Sequence, residues 1–412
     1  MALGGQPAFA FYVPGRVEIL GKHTDYAGGR TLTCAIDRGF VVAVSPRNDG
    51  HVLIRACDKD ERGGFELCPD MPVSQTGWMN YCTALARRLA RNFGPPLVGA
   101  DIAFAANLPA EQGISSSSAL LVAMYLALNA ANGFDQRDAY RRDIAHGEDL
   151  AGYLGACENG QTFRHLEGDR GVGTLGGSED HTAILCSKPG MLNVYSYRPV
   201  RLERRIEFPA GLSLVIATSG VRANKTGDAM DAYNRLSRQT EAIMACLRQA
   251  GWDKSTLAAA IGDDREAADC VRQILGQSRH REFSAAELVG RFEQFAMEHQ
   301  QLIPAAADAL QAGDWDTFGR LSRESQLLAE SNLGNQIPQT TGLADSARRA
   351  GAIAASAFGA GFGGSIWAMV RANQTAEFVR EWKRTSQEQA GRDGSGMQFL
   401  AVRPVGGAGL IR

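Results

Sequence analysis

The sequence predicts an α+β protein made of two domains. Three observations lead there. Stretches with the two-residue period of strands and stretches with helical spacing are mixed along the chain without a regular βαβ rhythm, which argues against a doubly wound sheet. A length of 412 residues suits two domains with a sizeable core. Proline and charge gather in "YRPVRLERRIEFPAG", ahead of a new strand. This places a boundary near 205, giving an N-terminal unit of 1–205 and a C-terminal unit of 206–412.

Taken in order, "FVVAVSPRNDGHVLIRA" reads as strands over 40–45 and 51–56 closed by an Asn-Asp-Gly turn, a strong hairpin signal. "GWMNYCTALARRLARNF" has helical spacing through Tyr81, Leu85 and Leu89, and "LVGADIAFAANLP" alternates as a half-buried strand. "ALLVAMYLALNAA" is apolar nearly all round and predicts a buried helix. "RDAYRRDIAHGEDLAGYLGA" reads as one further helix. "LSLVIATSG", 212–220, reads as a strand, and a largely helical region follows over 227–331, broken near 251 and around Pro304. "FGAGFGGSIWAMVR" is a glycine loop feeding a strand, and "QFLAVRPV" is a last strand.

Composition excludes several classes. With 43 basic against 45 acidic residues there is no electrostatic footprint for nucleic acid or an anionic membrane. Eight scattered cysteines form no CxxC pair, which reads as reduced thiols rather than a disulfide framework or zinc site. No segment has the pattern of a signal peptide or a membrane span, so the expected setting is the cytoplasm. Nothing speaks to oligomeric state.

Chemistry gathers in a few loops. "GKHTDYAGG", residues 21–29, sets Lys22, His23 and Asp25 before a glycine turn. "LPAEQGISSSSALLVA" leads a strand through a glycine loop into a helix whose first turn is serine. Unpaired N–H groups and partial positive charge make such a terminus an anion site, although serine is also a common cap. The GK[ST] of a Walker A loop is missing. "FGAGFGGS" holds G-x-G-x-x-G at Gly359, Gly361 and Gly364, but the glycines precede a strand, which is the reverse of a dinucleotide fingerprint. Asp25, Glu158 and Asp180 are carboxylates on loops, and phosphoryl transfer to a hydroxyl needs a carboxylate, a cation and Mg²⁺ on the phosphates.

Together these segments resemble the galactokinase branch of the GHMP small-molecule kinases. "PGRVEILGKHTDYAGG" is similar to that branch's PGRVNLIGEHTDYNGG, and "WMNY" to its W-x-N-Y. The serine segment is similar to P-x-G-x-G-L-S-S-S-A, "GGSEDHTAIL" to the catalytic G-x-M-D-Q, "DAYNRL" to Y-N-x-R, and "FGAGFGG" to the third motif. The resemblance implies a two-domain fold with the active site in the cleft between the domains. It also implies transfer of the γ-phosphate of MgATP to the anomeric hydroxyl of a sugar. Carried over by position, Asp180 is the catalytic carboxylate and Arg16 its cationic partner. Lys22, His23, Asp25, Gly177 and Tyr233 fall where the sugar is held. Gly113 and Ser115, Ser116, Ser117 and Ser118 fall on the phosphate loop, with Trp78 near adenine. Gly361 and Gly363 shape the phosphate site, and Ser117 and Glu158 are the implied Mg²⁺ ligands.

Four departures stand out. Lys22 replaces a glutamate that, in the family, lies toward the sugar's C6 hydroxyl. An ammonium has donors only, which suits a carboxylate there and motivates a uronic acid (galacturonate or glucuronate) or another non-galactose sugar as an alternative to galactose. Glu111 replaces the first glycine of the phosphate loop. Glu179 and His181 flank Asp180 in place of Met and Gln. "QTFRHLEGDRGVGTL", 161–175, reads as an insertion that bears on the Glu158 assignment and on the sugar pocket. A kinase-like sensor that binds sugar and ATP without catalysis is the alternative from another class, and the retained Arg16 and Asp180 oppose it.

Overall fold

The structure is a computed structural model that describes residues 6–109, 113–221, 228–390 and 396–411. Glu111 lies outside them. The first sheet begins with β1 (Phe9–Leu20) and β2 (Arg30–Pro46), two long antiparallel strands. It continues with β3 (His51–Ala56), β4 (Glu61–Glu66) and β5 (Ala100–Ala106), then β6 (Met191–Ser196) and β7 (Arg201–Glu207). The second sheet is formed by β8 (Leu212–Thr218), β9 (Ala354–Phe358), β10 (Ser365–Arg371) and β11 (Phe399–Val402), in the order β11-β8-β10-β9. Two short strands, β12 (Pro404–Val405) and β13 (Gly409–Leu410), return to the first sheet on β2 and β1. The change of sheet between Glu207 and Leu212 falls at the proline- and charge-rich segment. The return of residues 404–410 means that no single cut separates the two sheets.

Helices α1 (Gly77–Phe93) and α2 (Ser116–Asn132) pack on the first sheet, with α3 (Asp138–Asp143), α4 (Gly147–Asn159) and α5 (Glu179–Cys186) beside them. The burial of α2 follows from its composition: Leu121, Val122, Met124 and Leu128 are all fully enclosed. The helical region holds α6 (Asp228–Gln249), α7 (Leu257–Ile261), α8 (Arg265–Gln277), α9 (Ala285–Ala296), α10 (Ile303–Ala312) and α11 (Trp315–Leu328). The second sheet is covered by α12 (Pro338–Arg349) and α13 (Thr375–Ala390) through Leu343 and Trp382. No helix of the described residues is long and apolar enough to cross a membrane.

Four expectations are corrected. The strands around the Asn-Asp-Gly turn do not pair with each other, because β5 lies between them, antiparallel to β2 and parallel to β3. Gly99 enters between the arms of the turn, where a Cβ would come within 2.0 Å of the His51 carbonyl oxygen. The expected single helix over 137–156 is two helices. Asp149 accepts the backbone N–H groups of Ala145 and His146, so its carboxylate starts a new helix where the first ends. The helical region is continuous at Pro304, where a wide π turn over Met297–Leu302 leads directly into α10 and puts the proline in its first turn. The final "QFLAVRPV" is divided between the two sheets.

Trp367 of β10, fully buried, ties the sheets together. Its indole N–H donates to the Ile19 carbonyl at 3.1 Å, at the bulge between Glu18 and Leu20 of β1. Trp367→Phe keeps the apolar packing but leaves that carbonyl without its indole donor. A loss of about 1–3 kcal/mol is expected, read from the urea midpoint at unchanged slope.

Candidate active site

A cleft of about 730 Å³ is lined by β1, the 21–29 loop, the N-terminus of α2, the start of α5, Tyr233 of α6 and the Gly359–Ala360 turn. Arg16 organises it. Its Nε donates to Asp180 Oδ1 at 2.7 Å, Nη2 lies 2.7 Å from the same oxygen, and Nη1 donates to the Gly113 carbonyl at 2.7 Å. Glu179 Oε1 stands 3.8 Å from Nε. Burial opposes the guanidinium charge, yet Asp180, Glu179 and Glu18 raise its pKa above the ordinary arginine value. The cation therefore keeps Asp180 under a fixed positive field.

The 21–29 loop is held from behind by α9. Arg291 donates to the His23 carbonyl at 2.5 Å, and Gln294 donates to the Lys22 carbonyl at 2.9 Å. His23 sits at φ 59°, an uncommon backbone for a side-chain-bearing residue. Its Nε2 lies 3.0 Å from the Ala360 carbonyl, which accepts only, so Nε2 carries the proton. Nδ1 then accepts from the Tyr26 hydroxyl at 3.1 Å. Asp25 Oδ2 accepts the Glu179 backbone N–H at 3.0 Å. Burial raises the Asp25 pKa, and the Glu179 and Tyr26 N–H groups oppose that rise. Gly177 is a glycine because a Cβ there would stand 2.2 Å from Asp25 Oδ2. Tyr233 lies over the same wall, its ring 5.4 Å from that of His23.

Lys22 does not join its neighbours. It is fully buried and does not line the cleft, and its amine donates to Ser325 Oγ of α11 at 3.0 Å. Ser325 in turn donates to Glu298 Oε1 at 2.5 Å, from the π turn. The expectation that Lys22 holds the sugar is corrected, because its charge is taken up by partners on the C-terminal helices. The carboxylate that reaches the cleft from this region is Glu18, which sequence reasoning missed. It is 2% exposed and accepts the Gly359 N–H at 3.3 Å through Oε2. A charged residue in the otherwise apolar "VEIL" was the available signal.

The opposite side of the cleft is the N-terminus of α2. Gly113 and Ser115 both have positive φ, 74° and 56°, and turn the chain into α2. Ser115, Ser116, Ser117 and Ser118 all line the cleft at the helix N-terminus, and no acidic residue stands in its first turn. The hydroxyl that meets Glu158 belongs to Ser118, not Ser117. Ser118 Oγ donates to Glu158 Oε2 at 3.0 Å and stands 3.2 Å from Asp180 Oδ2. One residue along a helix turns a side chain by about 100°, enough to exchange the two serines' roles. His181 Nε2 lies 3.2 Å from Glu158 Oε2 and is almost fully buried.

Trp78 lines the far end of the cleft, packed edge-on against Phe104 and donating to Glu61 at 2.5 Å. Gly361 and Gly363 do not line it; Gly359 and Ala360 do. Gly361 is needed elsewhere, since a Cβ would meet the Asn335 carbonyl oxygen at 2.3 Å. The 161–175 segment lies on α1 and α4. Asp169 pairs with Arg87 at 2.8 Å, Val172 accepts from Asn80 at 3.0 Å, and Thr174 donates to Glu158 at 3.5 Å. It buttresses Glu158 and roofs a second cavity of about 520 Å³ behind Asp25 and Gly177.

Two outcomes follow from this geometry. Gly177→Ala drives a methyl into Asp25 and is expected to cost about 1–3 kcal/mol, measurable by chemical denaturation. Burial also pushes the Glu18 carboxyl up to about 7 from its ordinary 4.5, against Lys22 and Arg16, which favour the charge. An acid with a raised folded pKa favours the fold when protonated, so its contribution is lost as pH rises through that interval. Glu18→Gln should flatten the decline of Tm across the interval, while an unchanged slope would show that Glu18 does not titrate there.

Comparisons with known proteins identify the family. The galactokinase galactose-binding signature matches residues 2–46, the GHMP kinases N terminal domain 80–157, and the GHMP kinases C terminal region 306–386. A galactokinase of Roseiflexus sp. is 29% identical over 391 residues, covering 94% of this chain and 90% of that protein. The crystal structure of Lactococcus lactis galactokinase complexed with galactose superposes with a TM-score of 0.79 at 20% identity, covering 98% of this chain and 95% of that one. A galactokinase of Chloroflexus aggregans is 30% identical over 381 residues, 91% of this chain and 87% of its own length, and the chain therefore belongs to the galactokinase family of GHMP sugar kinases.

Proposed function

We propose that the protein transfers the γ-phosphate of ATP to the anomeric hydroxyl of galactose. The observation that carries this reading is the Arg16–Asp180 pair, set between the His23–Asp25–Gly177–Tyr233 wall and the serine turn of α2. The wall offers Asp25 as an acceptor and Tyr233 as an aromatic edge, a surface suited to neutral hydroxyls. The first turn of α2 offers backbone N–H groups and serine hydroxyls to phosphate. Asp180 lies between them, held ionised by Arg16, and orients the attacking hydroxyl or accepts its proton. The galactokinases that the chain is similar to and the galactose-binding signature support galactose as the sugar.

A divalent cation fits beside this pair. Glu158 and Asp180 are joined through Ser118 Oγ, so oxygens suited to a hard cation already converge. The described residues hold no cluster of three His, Cys, Asp or Glu able to cage a metal, which suits Mg²⁺ held partly by water and phosphate. Glu158, Ser118 and Asp180 would hold it, and when bound it neutralises charge on the phosphates. All eight cysteines are free thiols, consistent with a cytoplasmic setting.

The uronate alternative loses its basis with the burial of Lys22. The sensor reading is opposed by the intact Arg16–Asp180 contact. The test is ADP release with galactose. Asp180→Asn should lower kcat by about 10²–10⁴ with a smaller change in sugar affinity. Tight sugar binding without turnover by the wild type would overturn the proposal.

A further inference from the structure

In the galactokinase-type pattern quoted above, the first motif carries Asn and Glu four residues apart. This chain carries Glu18 and Lys22 at those positions. The structure separates their fates. Lys22 is enclosed, its amine on Ser325 and, through it, on Glu298. Glu18 lines the cleft from β1, as His23 does from the next loop, and the two contact successive residues of one turn. Glu18 Oε2 takes the Gly359 N–H, and His23 Nε2 meets the Ala360 carbonyl. The second carboxylate oxygen, Oε1, is buried and has no hydrogen-bond partner among the described residues. A buried acceptor left unpaired is costly, and such a group facing a cleft calls for a donor from outside the protein.

We infer that Glu18 is a specificity-determining residue of the sugar site, accepting a sugar hydroxyl through Oε1, and that Lys22 is its buried counter-charge rather than a ligand for an acidic sugar. The inference rests on the cleft being the sugar site proposed above. The carboxylate that the pattern places at position 22 is supplied here from position 18. Burial raises the pKa of both Glu18 and Glu298, and the lysine opposes that rise from behind. A site so built accepts from hydroxyls and repels a carboxylate.

Steady-state kinetics on galactose, its monodeoxy analogues and galacturonate test this. The variants are Glu18→Ala and the exchange Glu18→Asn with Lys22→Glu. In Glu18→Ala, Lys22 keeps Ser325 and Glu298, so the core retains its partners. The galactose KM of that variant is expected to rise about 10- to 100-fold, the worth of a hydrogen bond to a charged group, with kcat and the KM for ATP little changed. For the one deoxygalactose that lacks the contacted hydroxyl, wild type and Glu18→Ala should have equal KM. Discrimination against galacturonate should relax in Glu18→Ala. The double exchange should recover more galactose affinity than either single substitution. An unchanged galactose KM in Glu18→Ala, or a rise that is equal for galactose and every deoxy analogue, overturns the inference while leaving the sugar kinase reading intact. Absence of ADP release by the wild type with every sugar overturns that reading, and this inference with it.

Discussion

The guanidinium of Arg16 is the fixed point of the molecule. It is surrounded by oxygens from two distant parts of the chain, Asp180 and Glu179 on α5 and the Gly113 carbonyl ahead of α2, with Glu18 of its own strand adding a further negative charge. An isolated charge so deep would be strongly unfavourable, and removing one partner of such a pair commonly costs about 3–5 kcal/mol. The strand, the loop ahead of α2 and the start of α5 are thus obliged to meet where the cation is. The two sides of the proposed reaction site are brought together by one electrostatic requirement.

The two buried cations of the first motif serve different ends. Arg16 faces the cleft and pairs with Asp180. Lys22 faces the C-terminal helices and, with Ser325 and Glu298, anchors the loop that carries His23 and Asp25. Arg291 and Gln294 hold the backbone of the same loop. The sugar wall is therefore rigid from both sides, which suits a site where small displacements of a reacting hydroxyl are expensive. Thin glycine walls serve the same end, since Gly177 lets Asp25 reach the α5 backbone directly.

Much of this was legible in the sequence where local pattern and chemistry coincide. Arg16, Asp25 and Asp180 reach the cleft as their motifs predicted, and the buried α2 follows from its uniform apolarity. The misreadings at Lys22, at the Asn-Asp-Gly turn and at Gly361 share one cause, a partner remote in sequence. Lys22 is claimed by Glu298 and Ser325, close to three hundred positions away, and nothing near residue 22 announces them. The Asn-Asp-Gly turn reverses the chain as expected, but β5, entering at Gly99, takes the pairing edges between its arms. Gly361 is a glycine because of Asn335 rather than because of phosphate. Ser117 and Ser118 could not be told apart without the rotation of the helix that carries them.

The pairing of β12 and β13 with β2 and β1 has a bearing on biosynthesis. The strands that open the first sheet accept neighbours from residues 404–410. On the ribosome, therefore, the edge of β1 stays open until nearly all of these residues have emerged. Until then the nascent chain presents an unpaired strand edge, the kind of surface that chaperones cover and that aggregation exploits.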